Sequence, residues 1–414
     1  MVRNLHHVSR GRVIADRQWY FLTVLRDFNR FSRTLAVLSF RLSQSAPLSI
    51  AAPGVRLNRM WKPKRNWGLI LSRAVGLLIF FAGIFLAARL CAAQQTTPNP
   101  VPSIFQPHST PAHSIVHLSN FILAITALIF LSVFTLLAYS VVKFRSRAGD
   151  SEREPAQVYG STQIELAWTV IPILIVVVLF LASARVIHAI QDAPKPAGAL
   201  EVTVIGHQFW WEFRYPALGI VTANELHIPA TDRDHPRATF LKLLSADTDH
   251  SFWVPQLAGK SDLIPNHPNE MWVEPDRPGL FLGQCAQYCG TQHAKMLLRV
   301  SVDTAEDFDA WVRAQKQTAD PDEKESAGRR VFETTACINC HAVAGTPANG
   351  RFGPDLTHLM SRSTIAAGAA ENTAENLRLW IKNPDTIKPG SLMPAMQLGD
   401  GDLDALVKYL ETLK

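Results

Sequence analysis

Two short segments concentrate the side chains that bind metals and redox groups. The first runs Gly283-Gln-Cys285-Ala-Gln287-Tyr-Cys289-Gly-Thr-Gln-His293-Ala-Lys-Met296, bringing two thiols, an imidazole and a thioether close together; His250 precedes it in Asp249-His250-Ser-Phe-Trp-Val-Pro255. Soft sulfur and nitrogen donors select copper, zinc or iron–sulfur. Met is an unusual zinc ligand, so a closed zinc site fits poorly, and a one-copper electron-transfer site needs a single Cys. Two thiolates can instead bridge two coppers, each capped by one His, with Met296 and a backbone carbonyl in the weaker positions. A plain disulfide between Cys285 and Cys289 is the bland alternative in an exported domain; the spacing of His293 and Met296 argues against it. The second segment is Cys337-Ile-Asn-Cys340-His341. C-x-x-C-H is the attachment signal of a c-type haem, with two thioethers to the macrocycle and the His on the iron. A Met ligand then belongs downstream. Met393 ranks first because Lys388-Pro-Gly-Ser-Leu-Met393-Pro is a rigid, turn-rich loop; Met396 and Met360 follow.

The elements around these segments divide into an apolar first half and a polar second half. Of 414 residues, 47% are hydrophobic, and they gather in three runs. Residues 74–88 form a short run after Lys62, Lys64, Arg65 and Arg73, which reads as a secretory signal spanning 60–93. Residues 1–59 look foreign ahead of a signal, so they are expected to be a non-native or mis-annotated extension, with translation starting at Met60. After a short segment at 94–115, the uncharged runs at 118–142 and 166–184 are each long enough to cross a bilayer. Lys143, Arg145, Arg147 and Arg153 between them place that loop in the cytoplasm and the rest outside. The expectation is a transmembrane hairpin over 116–190, short of a self-sufficient membrane structure and therefore in need of a larger membrane partner.

Charge is split as sharply. Residues 1–93 hold 15 basic and 2 acidic residues; the remainder holds 26 basic and 33 acidic ones, a balance of −7. The basic whole-chain total is therefore no argument for nucleic acid, and the acidic exterior suits a basic protein partner.

Residues 200–302 alternate in short strand-like runs at 201–205, 209–215, 225–228 and 238–245, which predicts a Greek-key β-sandwich or small barrel. Polar residues 303–325 read as a linker. Beyond them, 328–335, 375–382 and 403–413 read as helices of a cytochrome domain over 326–414.

Residues 116–302 resemble cytochrome c oxidase subunit II through four motifs in order: Glu165-Leu-Ala-Trp-Thr-Val-Ile-Pro172, Gly206-His-Gln-Phe-Trp-Trp-Glu212, His250-Ser-Phe-Trp-Val-Pro255 and the 285–296 run. With the C-terminal segment the layout resembles subunit II of caa3-type haem–copper oxidases. The resemblance implies a multidomain membrane protein with a two-helix hairpin, a cupredoxin-like sandwich and an all-α class I cytochrome c domain. It implies a binuclear copper-A centre held by His250, Cys285, Cys289, His293, Met296 and the Gln287 carbonyl, and a haem c on Cys337, Cys340, His341 and Met393. Glu165 matches the carboxylate guarding a proton channel into subunit I. Phe209 matches the family's exposed aromatic at which electrons arrive, followed by Trp210 and Trp211. Gln287 replaces a Glu that helps hold a Mg²⁺ or Mn²⁺ ion against subunit I, and a neutral amide is a weaker ligand for a hard cation. The implied partners are subunits I and III, a cytochrome c or other external donor, and a bacterial cell membrane with the soluble domains on its outer face. The implied activity is delivery of electrons for reduction of O₂ to water with proton translocation. The rivals are the copper-A subunit of a nitric oxide reductase and a membrane-anchored electron-transfer module.

Overall fold

The structure, a computed structural model, describes residues 103–145, 159–192, 195, 198–231, 238–317 and 326–414. The expected extension at 1–59 and signal at 60–93 lie outside the described residues. Two long helices come first, α1 (Thr110–Lys143) and α2 (Thr162–Gln191). Both are apolar all round and almost wholly exposed, which is the pattern of helices whose solvent is lipid or a partner protein. Each extends past its apolar run, and α2 continues through Pro172. The start of α1 is tied to the domain that follows: Thr110 Oγ1 donates to Glu274 at 2.5 Å and the Ser109 Oγ accepts from Glu274 N–H. At the end of α2 the Ile190 carbonyl accepts from Trp272 Nε1.

That domain is a sandwich of two five-stranded sheets. One has the order β3 (Ile220–Ala223), β2 (Trp210–Tyr215), β1 (Leu200–His207), β5 (Thr239–Ser245), β8 (Asn269–Val273). The other has β4 (Glu225–Pro229), β10 (Leu297–Asp303), β9 (Gly279–Cys285), β6 (His250–Trp253), β7 (Ser261–Leu263). The alternation seen in the sequence is what builds it: along β10 every second residue is buried, so one face of each sheet meets the other. β1 runs parallel to β5 and β4 parallel to β10, with antiparallel partners elsewhere. Trp211, Phe213, Leu243 and Phe252 fill the space between the sheets.

The polar stretch expected as a linker at 303–325 instead opens with a helix, α3 (Ala305–Gln315), capped by Thr304 accepting from Asp307 N–H. Its apolar residues are few but well placed: Phe308 is buried, and the Trp311 ring stacks on His227 at 4.6 Å. The C-terminal domain has α4 (Ala327–Thr334), a single turn α5 (Cys337–Cys340), α6 (Ala374–Lys382) and α7 (Asp400–Leu410), plus a two-residue strand pair at 364–365 and 370–371. Helices α4 and α7 cross where Gly328 sits; a Cβ there would lie 2.0 Å from the Ala405 carbonyl oxygen, so only glycine permits the approach.

One buried hydroxyl crosses the sandwich. Tyr215, on β2, donates to the His227 carbonyl at 2.8 Å and accepts from the His227 N–H at 3.0 Å, on β4 of the other sheet. Burial pushes this phenol up and keeps it a neutral donor. Tyr215→Phe is expected to destabilise the protein by about 1–3 kcal/mol, the cost of orphaning buried polar groups, read as a lower denaturation midpoint in detergent with unchanged metal content.

Candidate functional site

Two interior strands of the second sheet, β6 and β9, assemble the first cluster. His250 opens β6, Cys285 closes β9, and Phe252 pairs with Cys285 in register. The chain then loops through 286–296 and returns, with the Cys285 N–H donating to the Met296 carbonyl at 2.9 Å. Sheet pairing thus fixes both ends of the loop and aims its donors at one point. The two Sγ atoms are 3.9 Å apart. His250 Nδ1 is 3.9 Å from Cys285 Sγ, His293 Nδ1 is 3.8 Å from Cys289 Sγ, and Met296 Sδ is 3.8 Å from Cys289 Sγ. The Gln287 carbonyl oxygen lies 3.1 Å from Cys285 Sγ. Every residue named as a ligand from the sequence therefore converges here, and both cysteines are free thiols.

Three features not read from the sequence hold this arrangement. Asp247 binds His250 Nε2 at 2.8 Å, which places the proton on Nε2 and leaves Nδ1 as a lone-pair donor. Burial lowers the His250 pKa, but the bonds to Asp247 and Cys285 outweigh it and leave it raised. Gly206, in the middle of β1, makes room for the ring: a Cβ there would sit 2.8 Å from His250 Cδ2. The third is the thiol pairing itself. The Cys289 thiol bonded to Cys285 holds the Cys285 thiol down at about 3, and the same pairing, with burial, pushes Cys289 up. One thiolate forms readily and the second needs a cation nearby. A soft, buried set of two S⁻, two imidazoles, a thioether and a carbonyl fits copper and fits no hard cation.

The second cluster faces an apolar cavity in the C-terminal domain. Cys337, Cys340 and His341 line it, as do Met393 and Met396; Met360 is not among the lining residues. His341 Nδ1 binds the Pro354 carbonyl at 2.8 Å, leaving Nε2 as the free donor. Burial pulls this imidazole below its usual range, so it stays neutral and ready to ligate. Gly353 leaves no side chain against that ring, where a Cβ would come within 2.6 Å of His341 Cε1. Arg362 also lines the cavity; it is buried, and its Nε has no hydrogen-bond partner among the described residues. An apolar slot with two thiols, a neutral imidazole, a thioether and one buried guanidinium fits a macrocycle that carries carboxylates.

The aromatic trio separates. Trp211 is fully buried in the sandwich, edge-on to Phe252. Phe209, matched to the family's exposed aromatic, and its neighbour Trp210 are each only 8% exposed. They are covered by the C-terminal domain and form part of the wall of its cavity, together with Gln208. Lys388 lines the same cavity, and burial pushes its ammonium down to about 7. Glu165 sits in the first turn of α2, exposed.

Comparison with known proteins gives three family matches in chain order. Residues 98–186 match the transmembrane domain of cytochrome c oxidase subunit II, 200–303 its periplasmic domain, and 325–414 cytochrome c. Cytochrome c oxidase subunit 2 of Alkalihalophilus pseudofirmus is 38% identical over 304 residues, 71% of this chain and 86% of the relative. That of Bacillus subtilis is 34% identical over 297 residues, 67% and 82% of the two chains. The solved periplasmic domain of subunit II from Bradyrhizobium japonicum is 27% identical, covering 30% of this chain and 96% of its own, with a TM-score of 0.27.

Two outcomes are expected. Gly206→Ala displaces the His250 ring and abolishes copper retention, measured by metal analysis, while the haem absorbance is unchanged. Copper affinity of the metal-free protein rises with pH: the raised Cys289 thiol and the raised His250 both hold protons that the metal must displace. Competition titrations at pH 6 and pH 8 check the sign.

Proposed function

The chain belongs to the cytochrome c oxidase subunit II family and carries a cytochrome c domain at its C-terminal end, and from that membership we propose which of its residues carry the electron through it. It is a component of a membrane oxidoreductase complex in a bacterial membrane, working beside subunit I, with haem c and copper A as its cofactors. Cys285, Cys289, His250, His293, Met296 and the Gln287 carbonyl would hold a two-copper centre. Cys337 and Cys340 would hold the haem covalently, and His341 and Met393 would be its iron ligands. Bound in these places, the two groups supply one-electron transfer without proton exchange. The protein's share is to exclude water, fix the tautomers of both ligand imidazoles and keep the two sites a short distance apart.

Other roles follow from position. Glu165, at the start of α2, stands where a membrane-edge carboxylate can pass protons toward subunit I. Gln287 presents an exposed neutral amide beside the copper ligands, which disfavours a Mg²⁺ or Mn²⁺ ion against subunit I. The basic loop between the helices puts the soluble domains on the outer face, where an external carrier reduces the haem. Subunit III completes the membrane assembly.

The observation that carries this reading is the convergence of the 285–296 donors and His250 around two thiols 3.9 Å apart. Optical and EPR spectra of the purified complex are expected to show a low-spin c-haem band and a mixed-valence copper signal, with rapid O₂ uptake on a reductant. Both signals with NO uptake and no O₂ uptake would move the complex to the nitric oxide reductases. A fully metallated protein without the copper signal would overturn the reading.

A further inference from the structure

The cytochrome domain touches the copper domain directly, and two buried charges mark the contact. Glu225 opens β4 and is 6% exposed. Its Oε2 accepts from the Ser363 N–H at 2.9 Å; its Oε1 accepts from the Thr364 N–H at 2.8 Å and the Thr364 hydroxyl at 2.7 Å. All three donors belong to the other domain. Lys388 is 3% exposed and does the converse. From the loop that carries Met393 it donates to the Phe209 carbonyl of the copper domain at 2.7 Å and to Ala366 of its own domain at 3.2 Å. Between them the Leu297 N–H donates to the Ala367 carbonyl at 3.2 Å, and the Trp210 ring packs with Ala223 and Ala367. Gly368 and Gly390, both at positive φ, let the backbones close on Leu297 and Thr291, beside the ligand loop.

We infer that Glu225 and Lys388 are positioning residues that lock the cytochrome domain in one electron-delivery pose, with Gln208 and Phe209 as the protein spacer between haem cavity and copper ligands. This rests on the cofactor assignments above. Apolar contact alone would tolerate sliding, because the hydrophobic effect has no direction. A buried carboxylate and a buried ammonium do not. Any shifted pose that keeps them buried leaves a carboxylate and an amine without their hydrogen bonds, at a cost far larger than a few lost van der Waals contacts. Each charge is answered by the other domain's backbone, so the register is set by main-chain positions.

The spacer has the geometry to use a fixed pose. Phe209 and Gln208 line the haem cavity on one side. On the other, the Gln208 amide donates to the carbonyl of the ligand Cys289 at 2.6 Å, and the Phe209 ring lies against Gly290, where a Cβ would be 3.0 Å from Cε1. One electron leaves ferrous haem, giving ferric haem, and reduces the copper centre by one; no bond is made and no proton moves. Lys388, Phe209, Gln208 and Cys289 form a continuous bonded path between the two sites.

The test is flash photoreduction of the haem in the whole complex by an excited ruthenium complex, following haem reoxidation as glycerol is added. Transfer in the wild type is expected to be single-exponential and independent of viscosity. Glu225→Gln and Lys388→Met, with both cofactor spectra intact, are expected to slow it about tenfold per lost charged hydrogen bond and make it viscosity-dependent, because the domains must then re-dock. Amide exchange at 363–364 should quicken in Glu225→Gln, a readout that needs no metal. Variants with wild-type rates and wild-type exchange protection overturn the clamp. So does viscosity-limited transfer in the wild type, which decides the matter if a variant fails to load its cofactors. A wild type lacking either cofactor spectrum instead overturns the functional reading, and the exchange protection of 363–364 then judges the clamp by itself.

Discussion

Two buried thiols 3.9 Å apart cannot both ionise unless positive charge stands between or beside them. Much of the sandwich's local structure serves that constraint. The pair sits where β9 ends, so its first member is held by the sheet and its second by a loop whose return is closed by the Cys285–Met296 backbone bond. Cys285 cannot move without breaking strand pairing, and the loop that carries Cys289 is closed at both ends. The site is therefore set before any metal arrives, and the metal meets ligands already spaced. The only adjustment left is loss of protons.

The two ligand imidazoles show one solution applied with opposite polarity. Each has one nitrogen tied and the other turned to its site: His250 is held at Nε2 by a carboxylate, His341 at Nδ1 by a backbone carbonyl. Each ring also faces a glycine, Gly206 or Gly353, where a methyl group would collide with it. The electrostatics differ. The carboxylate partner leaves His250 raised, which suits a ligand beside two thiolates and a cationic metal. Burial outweighs the bond to the Pro354 carbonyl and leaves His341 lowered and neutral, which suits an apolar haem slot. The balance between burial and the partner sets each ring's charge, and its opposing glycine sets its place.

The residues proposed as ligands were legible as clusters because they are local: 285–296 and 337–341 carry their chemistry in spacing, and the two membrane runs declare themselves by length. What was not legible depends on distant pairing. Asp247 is an ordinary turn acid in the sequence, and becomes a ligand's partner only when β6 folds beside it. Arg362 looks like a surface charge until its domain closes around the cavity. The 303–325 stretch reads as linker because its polarity hides the two aromatic residues that dock α3. Phe209 reads as an exposed position by analogy with the family, and is covered here because a second domain, fused in the same chain, lies over it.

That covering changes what the tether accomplishes. A flexible linker raises local concentration but leaves each delivery to a fresh encounter. The contact at Glu225, Leu297, Trp210 and Lys388 replaces encounter with a standing arrangement, in which the wall of one site is the outer layer of the other. The ligand loop then has two faces. Thr291 and Leu297 lie under the cytochrome domain, while Gln287 and Tyr288 point outward, Tyr288 at 74% exposed. Both faces adjoin the same thiols, so an electron arriving through one has its exit through the other within a single short loop. With the covered face occupied by its own chain, the surface left open on that loop is the one a membrane partner can reach. The cytochrome domain covers Phe209, so on the proposed reading electrons come to the copper site through the fused domain and direction is built into the packing.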